Sequence, residues 1–169
     1  MSKIGGSIGY VFKNEGGFTD DPNDSGGATN WGITHDDLAR FLCRSVSVDD
    51  VKNISQGLAT QIYEEFYWDP MDLCDVDDQN VATCIFDTGV NRGISRAVKY
   101  AQQVVGTSQD GRMGPITLKA INEMPRARFI SDYWKLVFDG YLEIVKNNPS
   151  QNVFLNGWKN RANRLLTLI

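Results

Sequence analysis

Apolar residues recur at spacings of three and four along most of this sequence. The stretches that carry them open on Ser, Thr, Asp or Pro and close on Gly or Pro. Repeated many times, that pattern means a chain of amphipathic helices, so an all-α fold is expected. The first stripe runs Ile4, Ile8, Val11, Phe12, and Gly16 and Gly17 stop it. Thr34 with Asp37 and Ser47 with Asp50 have the spacing of capping boxes, the first starting a helix through about Cys43. Ser55 opens a helix with Leu58, Ile62 and Phe66 on one face, ending before Asp69-Pro70. A buried helix is expected from about Asp78 to Thr88, with Val81 and Ile85 inward. Ser95 starts a helix through about Val105, and Pro115 suits the first position of the next. A long helix follows Pro125, carrying Phe129, Tyr133, Leu136, Val137 and Tyr141, and Pro149 breaks it. A last helix carries Phe154, Trp158 and Leu165. Residues 18–33, crowded with Gly, Asp, Asn and Pro, read as loop or short strand, and Gly106 to Gly114 as a turn-rich loop.

Charge divides the chain where hydrophobicity does not. Residues 1–90 carry 16 acids and 5 bases, whereas residues 91–169 carry 5 acids and 12 bases. A seam is therefore expected near residue 90, with lobes at 1–90 and 91–169. Either the two halves pack together and partly neutralise each other, or the basic half meets an anionic surface. No dense basic run or basic-aromatic stripe occurs, so nucleic acid is a poor partner. The N-terminus, MSKIGGSIGYVF, has no apolar run or cleavage site of a signal peptide. No stretch reaches the roughly 18 apolar residues of a membrane anchor, and synthesis as a soluble cytoplasmic protein, a monomer, is expected. Cys43, Cys74 and Cys84 are odd in number and lack a C-x-x-C pair, so they are expected as reduced thiols packed in the core. One histidine, His35 at a helix start, argues against a zinc amidase and is expected to help the cap or lie exposed. Gly26-Gly27 is no phosphate loop, because no G-K-S/T follows. The aromatics Tyr63, Phe66, Tyr67 and Trp68 are expected mostly in the core, with one or two lining a cleft.

One residue breaks the division of apolar inside and charged outside. Glu15 lies three residues after Phe12 and four after Val11, so it extends the first apolar stripe. A carboxyl beside apolar groups loses solvation of its charged form and holds its proton longer. The negative end of the helix dipole acts in the same direction. A proton retained near neutrality is what the acid of glycoside hydrolysis needs, and Gly16-Gly17 leaves room for a sugar to approach. Such chemistry pairs the acid with a second carboxylate. Asp20, Asp21 and Asp24 crowd the turn that follows, with Asp24 the first choice. Each is equally suited to making the turn itself through side-chain to backbone hydrogen bonds. Thr29, Asn30 and Trp31 are candidates to position water or stack on a sugar ring. Asp21, Asn23, Ser25 and Gly26 loosely resemble the start of a calcium loop, but its twelfth position is Gly32 instead of Glu, so neither a metal nor another cofactor is expected.

The segment E-G-G-F-T-D-D-P-N-D-S-G-G-A-T-N-W-G-I-T, Glu15 to Thr34, resembles the signature of glycoside hydrolase family 108. Glu15, Gly16, Gly17, Pro22, Asp24, Gly26, Gly27, Thr29, Gly32 and Ile33 match it, and Phe18 stands where the family usually has Tyr. The resemblance implies an N-acetylmuramidase with a lysozyme-like fold, two helical lobes around a cleft, and places the family's catalytic glutamate on Glu15. Phage-type lysozymes of the wider superfamily space E, eight residues, D, five residues, T; here Glu15 and Asp24 keep the eight and Thr29 follows after four. Asp24 and Thr29 are thereby implied as catalytic partners, and Asp20, Gly27 and Trp31 as substrate-binding neighbours. F-D-T-G-V-N-R-G (Phe86–Gly93), Q-Q-V-V-G-T-S-Q-D-G-R-M-G-P-I-T (Gln102–Thr117) and F-L-N-G-W-K-N-R (Phe154–Arg161) resemble the family's peptidoglycan-binding type 3 segment. There Asp87 and Asn91 are candidates to meet sugar amides. The implied partner is the glycan strand of peptidoglycan, in the cell wall or periplasm, reached by holin-dependent release of a phage endolysin or by a dedicated export route in a bacterium. A lytic transglycosylase, which leaves a 1,6-anhydro product, and a non-catalytic wall-binding protein are the alternatives. Carboxyl separations of about 5 Å for retention and about 6.5–9.5 Å for inversion would decide stereochemistry.

Overall fold

A computed structural model describes residues 1–20 and 27–169. Among them are nine α-helices: α1 (Ile4–Glu15), α2 (His35–Leu42), α3 (Val48–Lys52), α4 (Gln56–Tyr63), α5 (Gln79–Arg92), α6 (Ile94–Val105), α7 (Pro115–Glu123), α8 (Arg126–Asn147) and α9 (Leu155–Leu165). A small hairpin, β1 (Thr29–Asn30) and β2 (Ile33–Thr34), lies between α1 and α2. The expected all-α class, with short strands near residues 18–33, is what the chain adopts, the second strand running one residue further to Thr34.

The helix starts follow their caps. Thr34 Oγ1 accepts from the Asp37 backbone N–H at 3.1 Å, and Ser55 Oγ from that of Leu58 at 3.1 Å. Ser47 and Asp50 form a complete capping box, each side chain accepting from the other's backbone N–H at 3.1 and 2.7 Å. Asp78 caps α5 through the N–H groups of Asn80 and Val81, and Pro115 takes the first turn of α7. His35 does not cap. Its Nε2 lies 2.8 Å from the Val46 carbonyl and ties the start of α2 to the loop beyond it.

Two expectations need correction. The helix after Ser55 does not run regularly to Asp69: beyond Tyr63 it widens into a π-turn over Glu64–Trp68, then tightens into a 3-10 turn over Asp69–Met71. Tyr63 and Trp68 are five residues apart and both buried. An α-helix would point them to different sides, whereas i→i+5 bonding brings them to one side. Both then meet Phe86 edge-on, at 6.1 and 5.3 Å between ring centroids. The thiols also differ from expectation. Cys84 is in the core, but Cys43 and Cys74 are exposed, Cys43 because it ends α2 with φ of +51°.

Helix α5 organises the rest. Val81 to Gly89 are all buried, which an ordinary amphipathic helix does not allow, because α5 packs against α1 on one side and α6 and α8 on others. It also continues past Thr88 to Arg92, carrying Asn91 to its end. The long helix α8 lays Phe129, Tyr133, Val137 and Tyr141 inward, and Tyr133 donates to the Ala97 carbonyl at 3.1 Å. One apolar core results, contiguous from Ile4 through Leu165.

Candidate active site

Glu15 is the last residue of α1, and Gly16, at φ of +78°, turns the chain away immediately after it. Its side chain is 20 % exposed. The surroundings are less apolar than the stripe implies. Arg161, from α9, places Nη1 2.7 Å from Glu15 Oε1, off the N–H axis, so the contact is chiefly ionic. The same guanidinium forks onto Asp87 of α5, Nε to Oδ2 at 3.1 Å and Nη2 to Oδ1 at 2.9 Å. Asn14, one residue before Glu15, donates to the same Asp87 Oδ1 at 2.9 Å and accepts from Arg164 of α9. Helices α1, α5 and α9 are thus joined by a polar ring whose centre is nearly sealed, Arg161 being 11 % and Asp87 3 % exposed, while Arg164 at its edge is exposed. Burial works against the Arg161 charge, but the Asp87 carboxylate and then Glu15 more than offset it, holding the guanidinium above even arginine's ordinary range.

The hairpin forms the opposite wall. Asn30 and Ile33 pair, leaving Trp31 and Gly32 as a two-residue loop in which both have positive φ, +53° and +74°. Such a primed turn matches the twist of a hairpin, but a tryptophan in its first position is strained by about 1–2 kcal/mol. Neighbours hold it there. The indole N–H donates to the Ile54 carbonyl at 3.2 Å, the Tyr63 hydroxyl donates to the Trp31 carbonyl at 2.9 Å, and Phe12 packs on the ring at 5.1 Å between centroids. Burial, and then the Glu15 charge, push the Tyr63 hydroxyl above its ordinary range, so it stays a donor. At Gly32 a Cβ would fall 2.6 Å from the Tyr63 hydroxyl and 2.9 Å from Glu15 Oε2. The carboxylate therefore rests with one oxygen against Arg161 and the other against bare backbone. Asn30 anchors the hairpin by donating to the Val51 and Lys52 carbonyls at the end of α3.

The other expected site residues divide by position. Thr29 is in the hairpin near this wall, its hydroxyl 2.8 Å from that of Thr19, and the two backbones also bond. Gly27 has φ of +68° and Asp20 is exposed. Asp24 and Asp21, with the rest of the proposed calcium loop's start, lie outside the described residues. Trp31 lines a groove of about 510 Å³ between α1 and α4 that Phe12, Gln56 and Thr60 also line. Asp87 is not at a helix end but in mid-helix, with both oxygens engaged by Arg161 and Asn14. Asn91 accepts from the Tyr141 hydroxyl at 2.5 Å and borders a second groove of about 320 Å³ with Asn14, Trp158 and Arg161. Tyr141 stacks on Trp158 at 5.4 Å and 16°; burial pushes its hydroxyl up to about 12.

The sequence alone assigns no role to Arg161 or Asn14, and places Tyr63 only among aromatics of the core or cleft wall. The signals were present. Arg161 ends the G-W-K-N-R element, and the opposite charges of the two halves called for pairs across the seam. Arg161 on Glu15 and Asp87 is such a pair, and Arg126 reaches Asp78 at 3.7 Å. The asymmetry is thus partly neutralised inside the molecule.

Residues 8–93 match the family model described as Glycosyl hydrolase 108, and residues 96–163 match that of a Predicted Peptidoglycan domain. Among solved structures, SagA of Brucella abortus is 35 % identical, with a TM-score of 0.80, over 97 % of this chain and 91 % of that one. No curated protein matches the chain.

Proposed function

Since the chain belongs to the glycosyl hydrolase 108 family, we propose that it cleaves the β-1,4 bond between N-acetylmuramic acid and N-acetylglucosamine with Glu15 as general acid. The family and the peptidoglycan domain together make it a peptidoglycan hydrolase; the bond and the acid are our reading. The observation that carries it is the setting of Glu15. It is a helix-terminal carboxylate, partly open, with one oxygen clamped by Arg161 and the other beside Gly32, which has no side chain of its own. Clamping one oxygen fixes the plane of the carboxyl, so a sugar approaching past Gly16 and Gly17 meets the other in one orientation. The Glu15 proton passes to the leaving oxygen. Asp24 or a neighbouring carboxylate steadies the positive charge developing on the sugar or activates water, and Thr29 holds that water. Catalysis is assigned to residues 1–90 and wall binding to residues 91–169, with Arg161 crossing from the second to complete the first.

A transglycosylase uses a single carboxyl as acid and then base. One observation favours this second reading: among the described residues, the other carboxylate on Arg161 is Asp87, and both its oxygens are taken. Mass spectrometry of digested muropeptides separates the two. Hydrolysis adds water at the reducing ends, whereas the transglycosylase leaves anhydro ends.

Glu15→Gln keeps the shape and removes the proton. Clearing of purified sacculi by this variant is expected to fall by about 10²–10⁴-fold, the usual worth of a general acid. Clearing at the wild-type rate would end the assignment.

A further inference from the structure

Beside the Arg161 groove lies another of about 310 Å³, lined by Tyr10, Lys13, Asn14, Arg164 and Thr167. The two share Asn14 and Arg164, so together they form one trough along the seam of α1 and α9, with Arg161, and through it Glu15, on its flank. Its charge balance is uneven. The acids in contact with the polar ring, Glu15 and Asp87, both engage Arg161. Arg164 spends a donor on the neutral Asn14 side chain, and among the described residues neither Arg164 nor Lys13 has a carboxylate partner. Tyr10 adds no negative charge. Burial, and then the Asp87 charge, push its hydroxyl above its ordinary range. Amides of Asn14, Asn91 and Asn160 line the remaining walls, and each can donate and accept at once, as a peptide bond requires.

We propose that this trough binds the peptide stem carried by muramic acid, with Arg164 and Lys13 taking a free carboxylate of that stem while the asparagines meet its amides. This rests on the reading that Glu15 cuts the attached glycan, because the trough then lies beside the sugar that bears the stem. An arginine fork suits a carboxylate geometrically, and the exposed lysine adds a movable charge. Stem recognition would make cleavage depend on peptide substitution as well as on the sugar backbone.

Two measurements test this. Isothermal titration calorimetry of a muramyl peptide with a single sugar needs no cleavage, since it holds no glycosidic bond to cut. Lys13→Gln combined with Arg164→Gln is expected to weaken its binding at least tenfold, and Arg164→Lys to recover most of the loss. Unchanged affinity in the double variant overturns the site. Kinetics then compare glycan strands bearing stems with strands stripped by an amidase, which exposes the lactyl carboxylate instead. The double variant is expected to raise KM on stem-bearing strands about tenfold, several-fold more than on stripped ones. An equal rise on both overturns the assignment to the peptide, and a rise confined to stripped strands transfers the site to the lactyl group. If the wild type binds the muramyl peptide but cuts neither strand, the trough stands and the glycosidase reading falls.

Discussion

At Gly32, conformation and space make the same demand. A φ of +74° disfavours any side chain, and the position its Cβ would occupy is already taken by Tyr63 and Glu15. Gly32→Ala is therefore expected to cost about 1–2 kcal/mol from backbone strain alone and to displace the Glu15 carboxylate as well. Denaturant unfolding reads the first and kcat the second, and kcat should fall further than the stability change explains. Arg161 is a harsher case. Replacing it with Met keeps the volume but leaves Asp87 buried without its cation, and breaking a buried pair in this way costs about 3–5 kcal/mol. For a chain of this length that lowers the melting temperature by roughly 10 °C. Calorimetry of Arg161→Met should show it, whereas the exposed pair Lys119–Glu123 should give a shift too small to measure.

At the scale of elements, much of the fold could be read from caps. Thr34, Ser47, Ser55, Asp78 and Pro115 each open the helix their spacing announces, because a cap bonds only across two or three residues and needs no knowledge of the rest of the chain. The π-turn at Glu64–Trp68 could not be read in this way. It exists to aim Tyr63 and Trp68 at one partner, Phe86, and that partner lies beyond the local sequence. Helix α3 offers a pH test of the capping argument. The Ser47 backbone N–H, with Arg44 beside it, pushes the Asp50 carboxyl down to about 2. A folded-state value below the unfolded one stabilises at pH above about 4 and loses that contribution as pH falls toward 2. Amide exchange over Val48–Lys52 should quicken in that interval, and Ser47→Ala should narrow it.

Across the whole molecule, Glu15 was legible and its partner was not. Glu15 stands out because a charge interrupts a stripe, a pattern complete within one helix. Arg161 emerges only when α9 folds back over α1 and α5, and nothing local distinguishes it from the other basic residues of its half. The boundary near residue 90, read from charge, falls close to the junction between the two family matches, yet α5 shares its buried faces with helices from both sides. Residues 1–93 expressed alone should consequently clear no sacculi, because Asp87 lacks its cation and α5 lacks α6 and α8. Rapid digestion of this fragment by a protease that leaves the full chain intact would report the loss of packing.

Because the arginine that grips Glu15 comes from α9, a ribosome adds it long after the glutamate itself has emerged. On the reading proposed above, a nascent chain still short of that helix carries its glutamate without the counter-charge that orients it, so cutting power waits for α9 and does not come with synthesis of α1.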